Sequence, residues 1–214
     1  MKFNTAALIL AGGQSRRMGQ DKALLKLPTS SNGQSQTLLQ HTCTIAQSCG
    51  LHTYVLSPWP ERYLHLLPPT VVSLQETTAG AGPLVALAQG WSMVVQDAEQ
   101  QNDYAPDWLL VLACDLPGLN RGTVQTWQQS LVDVSEVAIA ALPHRHQRWE
   151  PLCGFYHRRC ISSLNQAVEN NIRSFQQWLA TEPVMSLPVA DSNILRNCNT
   201  PTQWQNFLDS AAIR

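Results

Sequence analysis

The chain has 214 residues, 44% of them hydrophobic, and a formal net charge of −1. This length predicts one domain with a sizeable core, and the hydrophobic fraction excludes an intrinsically disordered protein. The balanced charge gives no general attraction to nucleic acid or to membranes, so an anion site has to come from the local placement of the 14 Lys and Arg residues.

The six cysteines form no CxxC pair, which argues against a zinc site or a disulfide framework. No segment has the length of a transmembrane helix, and the apolar run at 6–11 is too short for the apolar region of a secretory signal. These features predict a cytoplasmic protein with reduced, buried thiols.

Short apolar runs alternate with segments of helical periodicity along the chain. Strands are predicted at 6–11, 52–57, 70–74, 108–113 and 136–142, and helices at 36–49, 83–96, 122–132, 160–169, 174–180 and 201–211. Alternation of this kind favours right-handed βαβ crossovers. It predicts a single-domain α/β fold, a Rossmann-like three-layer sandwich with a mostly parallel sheet.

In such sheets, ligands bind beyond the carboxyl ends of the strands, near a switch point in strand order. Four segments follow predicted strands in this way, at 12–22, 57–62, 75–82 and 114–119. Function is expected in these four segments.

The first of these segments follows a strand that is predicted to be buried on both faces. Gly12 and Gly13 allow a tight turn and leave backbone N–H groups uncovered, and Arg16, Arg17 and Lys22 follow within ten residues. The spacing matches neither GxxxxGK[ST] nor GxGxxG. Taken one at a time, these residues fit a plain turn with a solvated surface. Their conjunction predicts a polyphosphate site.

Asp115 provides a second signal, in the stretch LLVLACDLPGL. A lone Asp after a strand is often a turn former or a helix cap. Across from a phosphate loop it is well placed to hold Mg²⁺, which takes one or two carboxylates together with substrate phosphates and waters. We therefore expect Asp115 to be a magnesium ligand.

These motifs carry a resemblance. The stretch LILAGGQSRRMGQDKALLKL at 8–27 resembles the first signature of the molybdopterin nucleotidyltransferases, above all the molybdenum cofactor guanylyltransferases. The resemblance continues in chain order through GPL at 82–84, CDLP at 114–117, EP at 150–151 and NCNTP at 197–201. It therefore spans nearly the whole chain.

The resemblance implies transfer of GMP from Mg-GTP to the terminal phosphate of molybdenum-bearing molybdopterin, with release of pyrophosphate. The cofactor is then Mg²⁺, and the partners are the small molecules GTP and molybdopterin, with no nucleic acid and no membrane. It leaves room for transient contact with proteins that deliver or accept the cofactor. Residues up to about 120 are expected to bind the nucleotide, and 121–214 the acceptor.

The resemblance also implies a role for each matching residue. The nucleotide-binding residues are then Leu10, Ala11, Gly12, Gly13, Lys22 and Asp115; the catalytic residues are Arg17, Lys22 and Asp115; the acceptor-binding residues are Asn197 and Asn199.

The base pocket departs from the family pattern. The family carries an Asp suited to the two guanine donors, and counting back from Gly82 puts Gln75 at that place, with Glu76 beside it. A carboxylate accepts from both donors, whereas an amide does so less well. We therefore expect Glu76 to bind the base after a one-residue shift. Trp59, in the preceding loop, is either a stacking surface or packs on its own loop.

The stretch LPHRHQRWEP places His144, Arg145, His146 and Arg148 in one loop. A metal site is disfavoured, because no Cys or carboxylate stands at ligand spacing and the arginines oppose a cation. Two interpretations stay open: a solvated basic loop, or a grip on the anionic phosphate of the pterin.

Two alternative functions stay open as well. One is a cytidylyl- or sugar-nucleotidyltransferase with the same phosphate loop and another acceptor. The other is a nucleotide-binding regulator without turnover. Arg17, Lys22 and Asp115 together argue against the regulator, since binding alone does not require all three.

Overall fold

The computed structural model describes residues 3–13, 15, 17–28 and 35–212. In this part of the chain, eight strands form one sheet in the spatial order β3-β2-β1-β4-β7-β5-β6, and β8 also pairs with β5. The strands are β1 (Thr5–Leu10), β2 (His52–Ser57), β3 (Val71–Gln75), β4 (Trp108–Ala113), β5 (Ala140–Arg145), β6 (Arg148–Trp149), β7 (Cys153–His157) and β8 (Val184–Leu187). The helices are α1 (Leu38–Ser48), α2 (Pro83–Gln100), α3 (Arg121–Ser130), α4 (Ile161–Glu169), α5 (Phe175–Leu179) and α6 (Pro201–Ala212).

The sheet is mostly parallel, as predicted. Strands β1 to β4 pair with one another only in parallel, while β7 runs antiparallel between β4 and β5. Two antiparallel steps restore the direction, so β5 runs parallel to β4, and β8 runs parallel to β5. The carboxyl ends of six strands therefore lie at one edge of the sheet.

Strand β1 occupies the centre of the sheet and is buried on both faces. Ala7, Leu8 and Ile9 have no exposed surface. Ala7 and Ile9 pack in the core layer of α1 and α3, whereas Leu8 packs in the layer of α2, α4 and α5. Helices on both faces explain why this strand is a continuous apolar run. No helix in the described part of the chain is long and apolar enough to cross a membrane.

The prediction for β5 is wrong in its first half. The residues at 136–137 form an exposed turn, which the Ala138 N–H closes by donating to the carbonyl of Ser135 at 2.9 Å. Strands β6, β7 and β8 were not predicted. In β7, a Cβ on Gly154 would lie 2.8 Å from the Ala141 carbonyl oxygen of the neighbouring strand. The glycine that weakens the strand pattern is therefore required by the close approach of β5.

The cysteines are all unpaired thiols, as predicted, and five of the six are buried. Burial raises the pKa of the Cys43 and Cys114 thiols to about 12, so both stay protonated at neutral pH. They act as small core residues and not as nucleophiles.

Candidate active site

The carboxyl ends of β1, β2 and β4 and the start of α2 enclose a cavity of about 540 Å³, here called the switch-point cavity. All of the residues expected to bind the nucleotide line it: Leu10, Ala11, Gly12, Gly13, Lys22, Glu76 and Asp115. Gly82 and Pro83 at the start of α2 also line it. A helix amino-terminus carries partial positive charge and favours an anionic ligand.

Ser15 closes the loop that follows β1. Its backbone adopts φ 45°, its carbonyl accepts from the N–H groups of Met18 and Gly19, and its hydroxyl accepts from the N–H of Lys22 at 3.2 Å. Gly19 has φ 73°, a conformation that glycine adopts without strain. These contacts turn the chain back so that Lys22 reaches the cavity. Arg16 lies outside the described residues.

Gly12 leaves no room for a side chain. A Cβ at this position would lie 2.5 Å from Pro58 Cδ and 3.3 Å from Glu76 Oε2. Because the proline ring is rigid, the clash cannot be relieved by a rotamer change. The backbone of the loop therefore lies directly against the wall formed by the segments after β2 and β3.

The Lys22 side chain contacts residues from two distant segments of the chain. Its Nζ lies 2.8 Å from Asp115 Oδ2 and donates to Asn199 Oδ1 at 2.9 Å. The side chains of Lys22 and Asp115 are 17% and 14% exposed, so water screens the pair only in part. The sequence predicts that Asp115 lies across from the loop that carries Lys22, and the structure brings the two side chains into direct contact.

The start of α6 holds Asn199 in place. Thr200 Oγ1 accepts from the N–H of Gln203 at 3.2 Å and so caps the first turn of this helix. The Gln203 side chain in turn accepts from the N–H of Asn199 at 2.8 Å. The N–H of Cys198 donates to the backbone carbonyl of Asp115 at 3.1 Å. The segment before α6 is thereby fastened to the end of β4. The contact of Gln203 with Asn199 was not predicted from the sequence.

A second set of hydrogen bonds holds the turn that precedes Lys22. The buried Tyr63 hydroxyl donates to Asp21 Oδ2 at 2.6 Å, while Asp21 Oδ1 accepts from the N–H of Ala23 at 3.0 Å. Burial and the neighbouring carboxylate raise the pKa of Tyr63, so the phenol stays a donor. Both oxygens of Asp21 are engaged, which fixes the turn that carries Lys22. Tyr63 was not singled out from the sequence, because its partner lies 42 residues away.

Glu76, and not Gln75, lines the cavity. Gln75 is exposed and ends β3, whereas Glu76 is half-buried and its N–H donates to the carbonyl of Ser57 at 2.8 Å. Burial raises the pKa of the Glu76 carboxyl above its usual value. Since side chains alternate in direction along an extended segment, a one-residue shift moves the acid from outside to inside.

Four other residues that were singled out from the sequence lie outside the cavity lining, namely Arg17, Trp59, Asn197 and Asn199, the last of which contacts Lys22. Arg17 is exposed on the turn before Gly19, and Asn197 is half-buried two residues from Asn199. The guanidinium of Arg62 lies 4.4 Å from the ring centroid of Trp59, which favours the interpretation that this tryptophan packs on its own loop.

The side chains of the cavity can supply only part of the coordination shell of Mg²⁺, so substrate phosphates and waters would have to supply the rest. Among the described residues, no group of three or more His, Cys, Asp or Glu is clustered to hold a metal ion. Asp115 offers one carboxylate, and in the described part of the chain its Oδ1 atom has no hydrogen-bond partner. This matches the way Mg²⁺ binds through one carboxylate, with substrate phosphates and waters as the remaining ligands.

A glycine loop, a lysine and a strand-end aspartate that converge at the switch point of a parallel sheet define a nucleotidyltransferase. Residues 7–184 match the model of the MobA-like NTP transferase domain, and the chain belongs to this family.

Its relatives cover most of its length. It is 48% identical over 198 residues, 92% of this chain and 87% of the relative, to a probable molybdenum cofactor guanylyltransferase of Nostoc sp.. It is 45% identical to a protein of the same description from Synechococcus elongatus, over 95% of this chain and 97% of the relative.

Solved structures share the fold. A molybdopterin-guanine dinucleotide biosynthesis protein A from Archaeoglobus fulgidus matches with a TM-score of 0.72 at 17% identity, over 98% of this chain and all of the other. A cytidylyltransferase from Leptospira borgpetersenii matches with a TM-score of 0.67 at 12% identity, over 99% of this chain and 88% of the other. At these identities the likeness confirms the Rossmann-like α/β architecture.

Proposed function

We propose that this nucleotidyltransferase transfers GMP from GTP to the terminal phosphate of molybdenum-bearing molybdopterin. A phosphate oxygen of the acceptor forms a bond to the α-phosphorus of GTP, and the bond from that phosphorus to the oxygen bridging to the β-phosphate breaks. Pyrophosphate leaves with the electron pair. The observation that carries the proposal is the contact of Lys22 with Asp115 and Asn199 at the edge of the switch-point cavity, in a chain whose relatives are described as guanylyltransferases.

Electrostatics provides most of the catalysis in this proposal. The acceptor phosphate and the triphosphate are both anionic, so their approach is unfavourable in water. Lys22 and the backbone N–H groups at Gly12 and Gly13 offset the repulsion and stabilise the charge that grows on the leaving group. The nucleophile is already ionised, so no general base is needed.

Asp115 is the residue that would hold Mg²⁺. When bound, the ion supplies Lewis-acid stabilisation of phosphate charge. The 2.8 Å contact between Lys22 Nζ and Asp115 Oδ2 keeps a cation beside one oxygen of the carboxylate.

Glu76 selects the base in this proposal. An ionised carboxylate accepts from both the N1–H and the amino group of guanine, whereas cytosine presents only an amino donor on its pairing edge. The position of Glu76 in the lining, beside Gly12, supports this role.

The acceptor is assigned to the later part of the chain. Asn199, in contact with Lys22, is placed to bind near the acceptor phosphate. Asn197 and Arg17, at the rim, provide further polar and cationic groups. Residues up to about 120 then bind the nucleotide, and residues 121–214 bind the acceptor.

Incorporation of labelled nucleotide tests the proposal. Purified protein with Mg²⁺ and molybdenum-loaded molybdopterin is incubated with labelled GTP, CTP or UTP, and both the dinucleotide product and pyrophosphate are measured. We expect product from GTP. Preference for CTP or UTP would support the alternative transferases, and nucleotide binding without pyrophosphate release would support a regulator.

A further inference from the structure

The basic stretch at 144–148 forms a strained hairpin tip between β5 and β6. His146 and Gln147 both have positive φ, 48° and 61°. Two-residue turns of this kind usually use Asn-Gly, because other side chains are unfavourable in this conformation.

The hairpin is held rigidly despite this strain. The Gln176 side chain accepts from the N–H of Trp149 at 3.2 Å and donates to the carbonyl of Trp149 at 2.8 Å. On the opposite strand, the His144 ring packs on the Trp149 ring with 4.7 Å between centroids. The hydrogen bonds of Gln176 fasten the hairpin to the start of α5, and the ring contact joins the two strands of the hairpin.

A cavity of about 450 Å³ opens between the hairpin and α5, here called the hairpin cavity. Arg145, His146 and Arg148 line it, and Glu150 is the only carboxylate among its described lining residues. Arg145 Nε pairs with Glu150 Oε1 at 3.1 Å. Arg148 is exposed and has no hydrogen-bond or ion-pair partner among the described residues. The cavity therefore has an excess of positive charge.

The hairpin cavity lies beside the switch-point cavity. Pro151 lines the first and Leu152 lines the second. Strand β5 runs parallel to β4 and is separated from it only by β7, a distance of two strand spacings, or about 10 Å. The carboxyl ends of β4 and β5, beside which the two cavities lie, are therefore close together at the same edge of the sheet.

We propose that the hairpin cavity binds the metal-bearing end of the acceptor, with Arg148 as its main contact, while the acceptor phosphate lies at Lys22 and Asn199. The inference rests on the proposed guanylyl transfer. A molybdenum centre with oxo ligands presents oxygen atoms that accept hydrogen bonds and that the metal-free dithiol lacks, and a guanidinium is suited to bind such oxygens through paired N–H groups. Arg148 thereby favours the metal-loaded acceptor over the metal-free one.

The test compares Arg148→Ala with the wild type in steady-state transfer assays, using molybdenum-loaded and metal-free molybdopterin as acceptors. We expect the KM for the loaded acceptor to rise about tenfold, the loss expected for one charge-assisted contact. The KM for the metal-free acceptor and the KM for GTP stay unchanged. Arg148→Lys retains the charge and recovers part of the affinity. Arg158→Ala, an exposed arginine at the other end of the sheet, is the matched control.

The outcomes separate the two proposals. If wild-type protein transfers no GMP, the proposed function fails. If it transfers GMP and Arg148→Ala leaves the KM of the loaded acceptor unchanged, the hairpin inference alone is overturned. An equal rise for both acceptors also overturns the assignment to the metal-bearing end. Because Arg148 is exposed on a two-residue strand, an unchanged melting temperature is expected for each variant.

Discussion

The two cavities at the carboxyl edge of the sheet are built in different ways. The switch-point cavity is lined largely by backbone and small residues at the ends of parallel strands, with Gly12 and Gly13 at its wall. The hairpin cavity is lined by long charged and aromatic side chains on an antiparallel hairpin. Backbone groups suit a phosphate chain common to all nucleotides, whereas side chains suit a ligand particular to one enzyme.

Lys22 lines the switch-point cavity and connects it to the carboxyl-terminal part of the chain. It lies on the turn after β1, yet its contact Asn199 is 177 residues further along the chain. The turn that presents Lys22 is therefore held by local contacts, whereas the partners of its side chain, Asp115 and Asn199, come from distant segments. Substitutions on either side of Lys22 should affect different kinetic constants.

The largest effect is expected for Asp115→Asn. The amide keeps an oxygen for Lys22 but loses the charge that a metal ion needs, so we expect kcat to fall about 100-fold or more with the fold intact. Raising the Mg²⁺ concentration should restore part of the rate. The measurement is pyrophosphate release, with circular dichroism as the check on folding. Asp133→Asn, an exposed carboxylate after α3, is the matched control, and equal activity of the two variants would contradict the assignment.

Lys22→Ala comes next. Loss of a charge-assisted contact to phosphate should weaken GTP binding by about 10- to 100-fold, as measured by titration calorimetry in the presence of Mg²⁺. Lys26→Ala removes the same charge from an exposed position in the same segment and should leave the affinity unchanged. Normal GTP affinity in Lys22→Ala would show that the lysine does not bind the nucleotide.

Glu76→Gln should change base selection more than rate. We expect the preference for GTP over CTP in kcat/KM to fall about tenfold, because the amide accepts from one guanine donor only. Gln75→Glu, outside the cavity, is the control and should behave as wild type.

The raised pKa of Glu76 adds a pH test of the same role. Only the ionised carboxylate accepts from both donors, so GTP affinity should fall as the pH is lowered through this pKa. The fall should begin at a higher pH than for an ordinary glutamate. A pH profile that is the same in Glu76→Gln as in the wild type would argue against base contact.

The smallest effect is expected for Gln203→Leu, which acts through Asn199. Without the acceptor for its N–H, Asn199 is held less firmly against Lys22, and we expect a loss of about threefold to tenfold in kcat/KM for the acceptor. Gln203→Glu keeps an acceptor oxygen and should retain most of the activity. If the Leu variant matches wild type, or the Glu variant is equally impaired, Gln203 has no positioning role.

The strands in the parallel half of the sheet could be predicted because each is marked by a local pattern in the sequence. The bounds of β2 and β4 agree with the predictions, and the prediction for β1 is displaced by one residue. Each is a short apolar run that is buried on both faces. Strand β7 was missed because Gly154 and a length of five residues conceal its pattern, and its place between β4 and β5 depends on tertiary packing.

The residues of the candidate site also divide into those that local patterns predict and those that only the structure identifies. The glycine loop, Lys22 and Asp115 stand in motifs at strand ends, and parallel topology alone brings such ends together. Tyr63 carries no motif of its own and acts through a hydrogen bond to Asp21 on the turn before Lys22, whereas Gln203 acts through a hydrogen bond to Asn199, just before α6. Their roles could be identified only from three-dimensional distances.

The order of residues along the chain was enough to establish a parallel α/β sheet, a phosphate loop after its first strand and an acid across from it. Periodicity and turn chemistry are local properties of the sequence. The common direction of parallel strands then brings the segments at their carboxyl ends together. Folding in three dimensions decided which acid faces the cavity at 75–76, what holds Lys22, and where the basic hairpin points. Those features depend on side-chain direction and on contacts between distant segments, which no local pattern encodes.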